Sequence, residues 1–129
     1  MSVNIPVPWG EVVDKVTILD IKLRRLADEA KRQNVQRERD ILDPWFRKAL
    51  EAKPGVAALA EALQRVNESL WDIEDAIRDC ERLKDFGPSF VKLARSVYRH
   101  NDRRAALKRD LNLLLGSDLV EEKSYTAYD

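Results

Sequence analysis

Residues 56–84 read VAALAEALQRVNESLWDIEDAIRDCERLK. Their apolar members Leu59, Leu63, Val66, Leu70, Ile73, Ile77 and Cys80 alternate four and three apart, the spacing of a long helix that lays one seam on a neighbour. Gly87 and Pro88 follow at once, and Phe90, Ala94 and Val97 restart the same spacing. So short a connection makes the two helices antiparallel neighbours, and residues 56–115 read as one long helical hairpin. Further along the second helix, Asn101 and Lys108 fall where the seam asks for leucine. An amide or an amine on an inner face needs partners. A buried polar group without one costs about 1–3 kcal/mol, and a lone charge more.

Counting outward from a turn centred near Phe86 places the polar residues against one another. Trp71 and Glu74 come opposite Tyr98 and Asn101, Asn67 lies level with Ala105, and Gln64 lies near Lys108, with Glu61 or Glu68 in reach of the amine. Two readings compete. In the first, the polar layer sets register and oligomeric state, as buried polar residues in helical bundles do. In the second it is a ligand site between helices. Lys108 with Arg104 or Arg78 receives an anionic group, Asn67, Asn101 and Asn112 orient it, and Trp71 and Tyr98 wall the pocket.

Outward from the hairpin, Met1–Val7 reads as an extended arm, because Pro6 and Pro8 bias the residues before them away from helix. Pro8 then opens a first helix. Val12, Val16, Leu19, Leu23, Leu26 and Ala30 form one stripe along it, widened by Val13, Ile18 and Ile21, so more than one neighbour covers it. Glu11, Asp14 and Lys15 on this helix close the same pocket if it packs on the hairpin. Residues 28–40 are highly charged and weakly apolar, and read either as a solvated extension of the first helix or as a separate one. Asp43 and Pro44 give a start signal for a short helix through Trp45, Phe46, Ala49 and Leu50, ended by Pro54 and Gly55. Gly116 ends the last helix. Ser117–Asp129 is a polar tail with Val120, Tyr125 and Tyr128 as docking points. The expected fold is all-α: one domain, an antiparallel bundle of three long helices and one shorter one.

The 129 residues carry 23 basic and 23 acidic side chains, so no overall field recruits nucleic acid or an anionic membrane. Arg95, Arg99, Arg103, Arg104, Lys108 and Arg109 do crowd the fourth helix. Asp102 and Asp110 dilute them, and nucleic acid is not an expected partner. Asp72, Glu74, Asp75, Asp79 and Glu81 raise a magnesium site on the third helix, but Arg78 and Arg82 alternate with them and favour a solvated, salt-bridged face. His100 is the only histidine, which removes structural zinc, and no metal or cofactor is expected. The lone Cys80 on the seam suits a reducing compartment. With no leader before Trp9 and no apolar run approaching a span of roughly 18 residues, a cytoplasmic protein without membrane insertion is expected. The apolar excess of the first helix and the length of the seam predict self-association, a dimer being favoured.

Three strings carry a resemblance: VPWGEVVDKVTILDIKLRRL (7–26), VNESLWDIEDAIRDCE (66–81) and FVKLARSVYRHNDRRAALKRDLNLLLGSDLVEEKSY (90–125). They resemble a small bacterial family, a domain of unknown function. The resemblance implies a short cytoplasmic protein associated with surface polysaccharide and lipopolysaccharide assembly, and it transfers no catalytic residue. The functional expectation is a non-enzymatic helical module that binds a protein or an anionic small molecule, such as a sugar phosphate or nucleotide sugar. The alternative is a small enzyme acting on a phosphorylated substrate, with Glu74 as acid or base and Lys108 as anion clamp.

Overall fold

In the computed structural model, which describes residues 1–129, the hairpin forms as α3 (Val56–Leu83) and α4 (Pro88–Leu114). Lys84 closes α3 in a left-handed conformation at φ 55°, and the Lys84 and Asp85 N–H groups return to the Glu81 and Cys80 carbonyls. Pro88, with no N–H to lose, then starts α4. The register is the expected one, since Asn67 of α3 and Arg104 of α4 meet on a single carboxylate.

The other two helices, α1 (Trp9–Arg25) and α2 (Glu29–Ala52), form a second antiparallel pair. Along the open end of the hairpin, α1 packs on both α3 and α4, and α2 packs mainly on α1. Gly10 lies by Asn112, Asp14 by Arg104 and Asn67, and Arg25 by Glu68 and Asp72. So α1 runs parallel to α3 and antiparallel to α4. Val13, Ala49, Val56, Ala60, Leu63, Val66, Leu107 and Leu111 make the core where all four helices meet. Val16, Leu19 and Ile21 are also fully buried, as the wide stripe on α1 requires.

Two expectations about the first half of the chain need correction. The stripe that continued to Ala30 is cut at Arg25. Leu26 is extended, the Arg32 guanidinium hydrogen-bonds the Leu23 and Leu26 carbonyls, and the Asp28 carboxylate accepts the Lys31 N–H at 3.2 Å to start a new helix. The charged stretch is therefore a separate helix. Asp43 and Pro44 do not open another one, because α2 runs through them. Instead of capping, the Asp43 carboxylate accepts from Arg39 at 2.9 Å and Arg47 at 2.6 Å, one turn to either side. Arg39 also holds Asp20 of α1 at 2.8 Å, while Phe46 and Ala49 pack into the core. Packing on α1 outweighs the local start signal. The shorter helix of the bundle is thus α1, with 17 residues, and α2 has 24.

The hairpin extends well beyond this core. From Glu68 to Ala106 no residue is fully buried, although the apolar seam continues through Ile73, Ile77, Phe90 and Val97. No helix is long and apolar enough to cross a membrane.

Candidate functional site

The polar layer lies at the level of Asn67, and its centre is Asp14, which is 1% exposed. Arg104 donates to both Asp14 oxygens, from Nε at 2.9 Å and from Nη2 at 2.5 Å. The Asn67 amide donates to Asp14 Oδ1 and to Thr17 Oγ1, each at 2.9 Å, and the Thr17 hydroxyl donates to the Asp14 carbonyl at 2.7 Å. One carboxylate therefore ties α1, α3 and α4 together. The hydrogen bonds from Arg104 to Asp14 hold the guanidinium pKa above its ordinary value against the opposing effect of burial. Every buried side-chain nitrogen and oxygen has a partner.

One turn further along α4, Lys108 is 8% exposed, and its ammonium sits between Glu11 of α1 at 2.9 Å and Glu121 of the tail at 2.8 Å. Burial pushes its pKa down. Hydrogen bonds to Glu121 and Glu11 more than offset this and hold it above the usual lysine value. Conversely, the bond from Lys108 pulls the Glu121 carboxyl below its usual range.

Asn112 has a different task from the expected one. Pro8 cannot cap α1 with a side chain, so the first N–H groups of the helix need tertiary acceptors. Asn112 Oδ1 takes the Gly10 N–H at 2.6 Å, and Ser117 Oγ takes the Trp9 N–H at 2.9 Å. Ser117 is delivered by the turn that ends α4. Gly116 adopts φ 65°, and the Ser117 N–H returns to the Asn112 carbonyl at 2.8 Å. Gly10 permits the contact, because a Cβ there would strike the Lys108 carbonyl oxygen and come within 2.8 Å of Asn112 Oδ1.

The tail then runs back along α4. Glu121 reaches Lys108 and Glu122 reaches Arg109 at 3.3 Å, while the Tyr128 hydroxyl donates to Asp102 at 2.7 Å. The Tyr128 ring packs on Tyr98 at 5.0 Å between centroids, with the Arg99 guanidinium 5.0 Å from the ring. Two clefts remain between tail and helix. The smaller, about 170 Å³, is lined by Lys108, Arg109, Asn112, Glu121 and Lys123, among others. The larger, about 910 Å³, includes Tyr98, Asn101, Asp102, Lys123 and Tyr125 in its lining.

The residues expected to share one pocket are therefore divided. Asn67 and Arg104 gather on Asp14, Lys108 takes Glu11 and Asn112 caps α1, so these polar atoms are already paired and no hollow lies between the helices. The small cleft beside Lys108 and Asn112 opens under the tail. Tyr98 and Asn101 line the outer cleft instead. Trp71 does not wall the layer, since its ring lies 5.7 Å from the Arg25 guanidinium. Glu74 and Arg78 pair with each other at the surface, and Lys15 pairs with Glu38 of α2 at 2.7 Å. Neither Glu61 nor Glu68 partners Lys108, and Glu68 is held by Arg24 and Arg25. In this register Glu74 lies ~15 Å along the hairpin from the level of Lys108 at the helical rise, so the acid and clamp of the enzymatic alternative do not face one site.

Sequence reasoning missed Thr17, Ser117, Glu121, Glu122 and Lys123. Thr17 stands one turn after Asp14 and was within reach of pattern reading. The tail residues gave no periodic signal, because an extended strap follows the surface beneath it. No protein-family model, curated protein or solved structure matches the chain.

Proposed function

We propose that the chain is a non-enzymatic helical module that binds an anionic small molecule, of the sugar phosphate or nucleotide sugar class, along α4 beneath its C-terminal tail. The observation that carries this reading is Lys108, whose nearly buried ammonium takes one carboxylate from the folded helices and a second from the tail. With Glu122 on Arg109, the tail seats two acids on adjacent cations of α4. A phosphate or carboxylate ligand takes the Glu121 position. Asn101, Tyr98 and Lys123 in the neighbouring cleft then offer amide, aromatic and cationic contacts for the rest of the molecule. The resemblance adds the setting, a cytoplasmic step of a bacterial surface-glycan pathway. Self-association belongs to the same reading, since the seam of the hairpin is longer than the domain covers.

A thermal-shift series with nucleotide sugars and sugar phosphates, followed by calorimetric titration of any hit, tests the proposal. A ligand at a hundredfold excess over its Kd stabilises the native state by about 2.7 kcal/mol. Wild-type protein is expected to gain this shift, and Lys108→Ala to lose it while keeping its helical circular dichroism. Absence of a shift across the series, both in the full chain and in Glu121→Gln/Glu122→Gln, overturns the reading.

A further inference from the structure

The outer half of the hairpin is built like half of something. Two helices alone cannot bury a seam, and between Glu68 and Ala106 none of the apolar residues is fully covered. At its far end Leu83 is 65% exposed, Phe86 50% and Val91 51%. Helix α1 stops at Arg25, level with Asp72, and the backbone of α2 makes no close approach to α4.

Charge says what fits there. From Trp71 to Asp85, α3 and its turn carry six acidic and three basic residues. From Pro88 to Arg103, α4 carries four basic residues and one acidic one. One arm of the hairpin is thus net acidic and the other net basic, so the surface is complementary to itself. A two-fold axis running along the hairpin sets α3 of one copy beside α4 of the other, and every neighbour in the resulting four-helix bundle is antiparallel. The other two-fold, perpendicular to the hairpin, stacks acidic α3 on acidic α3 and is disfavoured by like charge.

We infer that the chain dimerises through residues 71–103, the two hairpins lying side by side and pointing the same way with acidic α3 against basic α4 of the second copy. This deepens the self-association part of the functional reading and rests on it. The surface borders the outer cleft at Val97, Tyr98 and Asn101 but uses neither Lys108 nor the tail acids of the anion site. The shared seam takes in Ile73, Ile77, Phe90 and Val97, and Leu83 and Val91 close its end.

Sedimentation equilibrium on the full chain reads the outcome. Wild-type protein is expected at twice the 14.9 kDa chain mass at tens of micromolar. Leu83→Lys/Val91→Lys, both exposed in the single chain, is expected at the single-chain mass with unchanged circular dichroism. Lys92→Glu/Arg95→Glu and Asp75→Lys/Asp79→Lys are each expected to weaken the dimer at least tenfold, and an equimolar mixture of the two to form a heterodimer. A wild-type monomer overturns both the surface and self-association. A dimer indifferent to these substitutions, or variants that fail to pair when mixed, overturns the surface and its geometry while leaving self-association in place.

Discussion

Removing the Asp14 carboxylate takes away the common acceptor of Arg104 and Asn67, and with it the one polar tie between three helices. Asp14→Ala leaves a part-buried guanidinium without its partner and the buried Asn67 amide with only Thr17, a loss of about 3 kcal/mol on the scale of broken buried pairs. Urea unfolding with an unchanged m-value checks this. A cost below about 1 kcal/mol would show that solvent replaces the partner. Gly10 offers a sign test. In a free helix, glycine to alanine gains about 0.5–1 kcal/mol. Here the added methyl meets the Lys108 carbonyl oxygen and Asn112 Oδ1, so Gly10→Ala is expected to destabilise by about 1–3 kcal/mol, as overpacking does. Faster exchange of the Trp9 and Gly10 amide protons should accompany it, because Ser117 and Asn112 are their acceptors. The need for Lys108 to find partners was legible from spacing. Which partners it found was not, since Glu11 and Glu121 lie on α1 and on the tail, outside the hairpin whose pattern raised the question.

Among the elements, α3 and α4 were legible almost to the residue, for a local reason. An uninterrupted four-three spacing runs along α3, Phe90, Ala94 and Val97 restart it in α4, and a glycine–proline pair separates the two. Helix α2 was not. Its stripe is weak, only Ala49 is fully buried, and the aspartate–proline pair inside it imitates a helix start. Proline at position 44 leaves the Asp40 carbonyl without its usual partner, and the helix survives through Phe46 and Ala49 packing and the Arg39 link to Asp20. Pro44→Ala restores the missing bond on an exposed face. It is expected to raise stability by about 1–3 kcal/mol, read as a higher thermal midpoint with the same circular dichroism. A lower midpoint would mean that proline fixes a bend the α1 contact requires.

Across the whole molecule, the tail couples to pH through α4. Docking holds the Glu121 carboxyl below its ordinary pKa of 4.5, so its contribution is complete above that value and fades as pH falls through the lowered one. The Lys108 and Tyr128 pKa values are raised above 10.5 and 10.0, so their contributions are complete below those values and fade as pH rises through the raised ones. The hydrogen bond to Asp102 is the main cause for Tyr128. The tail is therefore expected to stay docked from about pH 4.5 to about pH 10 and to loosen on either side. Backbone relaxation of Tyr125 and Tyr128 should show order at about pH 6.5 that weakens as pH falls below about 4.5. Order retained at pH 3 would assign docking to the Tyr98–Tyr128 contact.

Periodicity and turn residues were enough to establish an all-α chain, its long hairpin, the register of that hairpin and the presence of a polar layer, because these depend on neighbours within a few turns. Tertiary packing alone decided that α2 passes through Pro44, and that Asp14 and the tail carboxylates complete the layer. Those outcomes join residues tens of positions apart. Their free energy comes from burial and charge pairing across helices, and no local pattern records it.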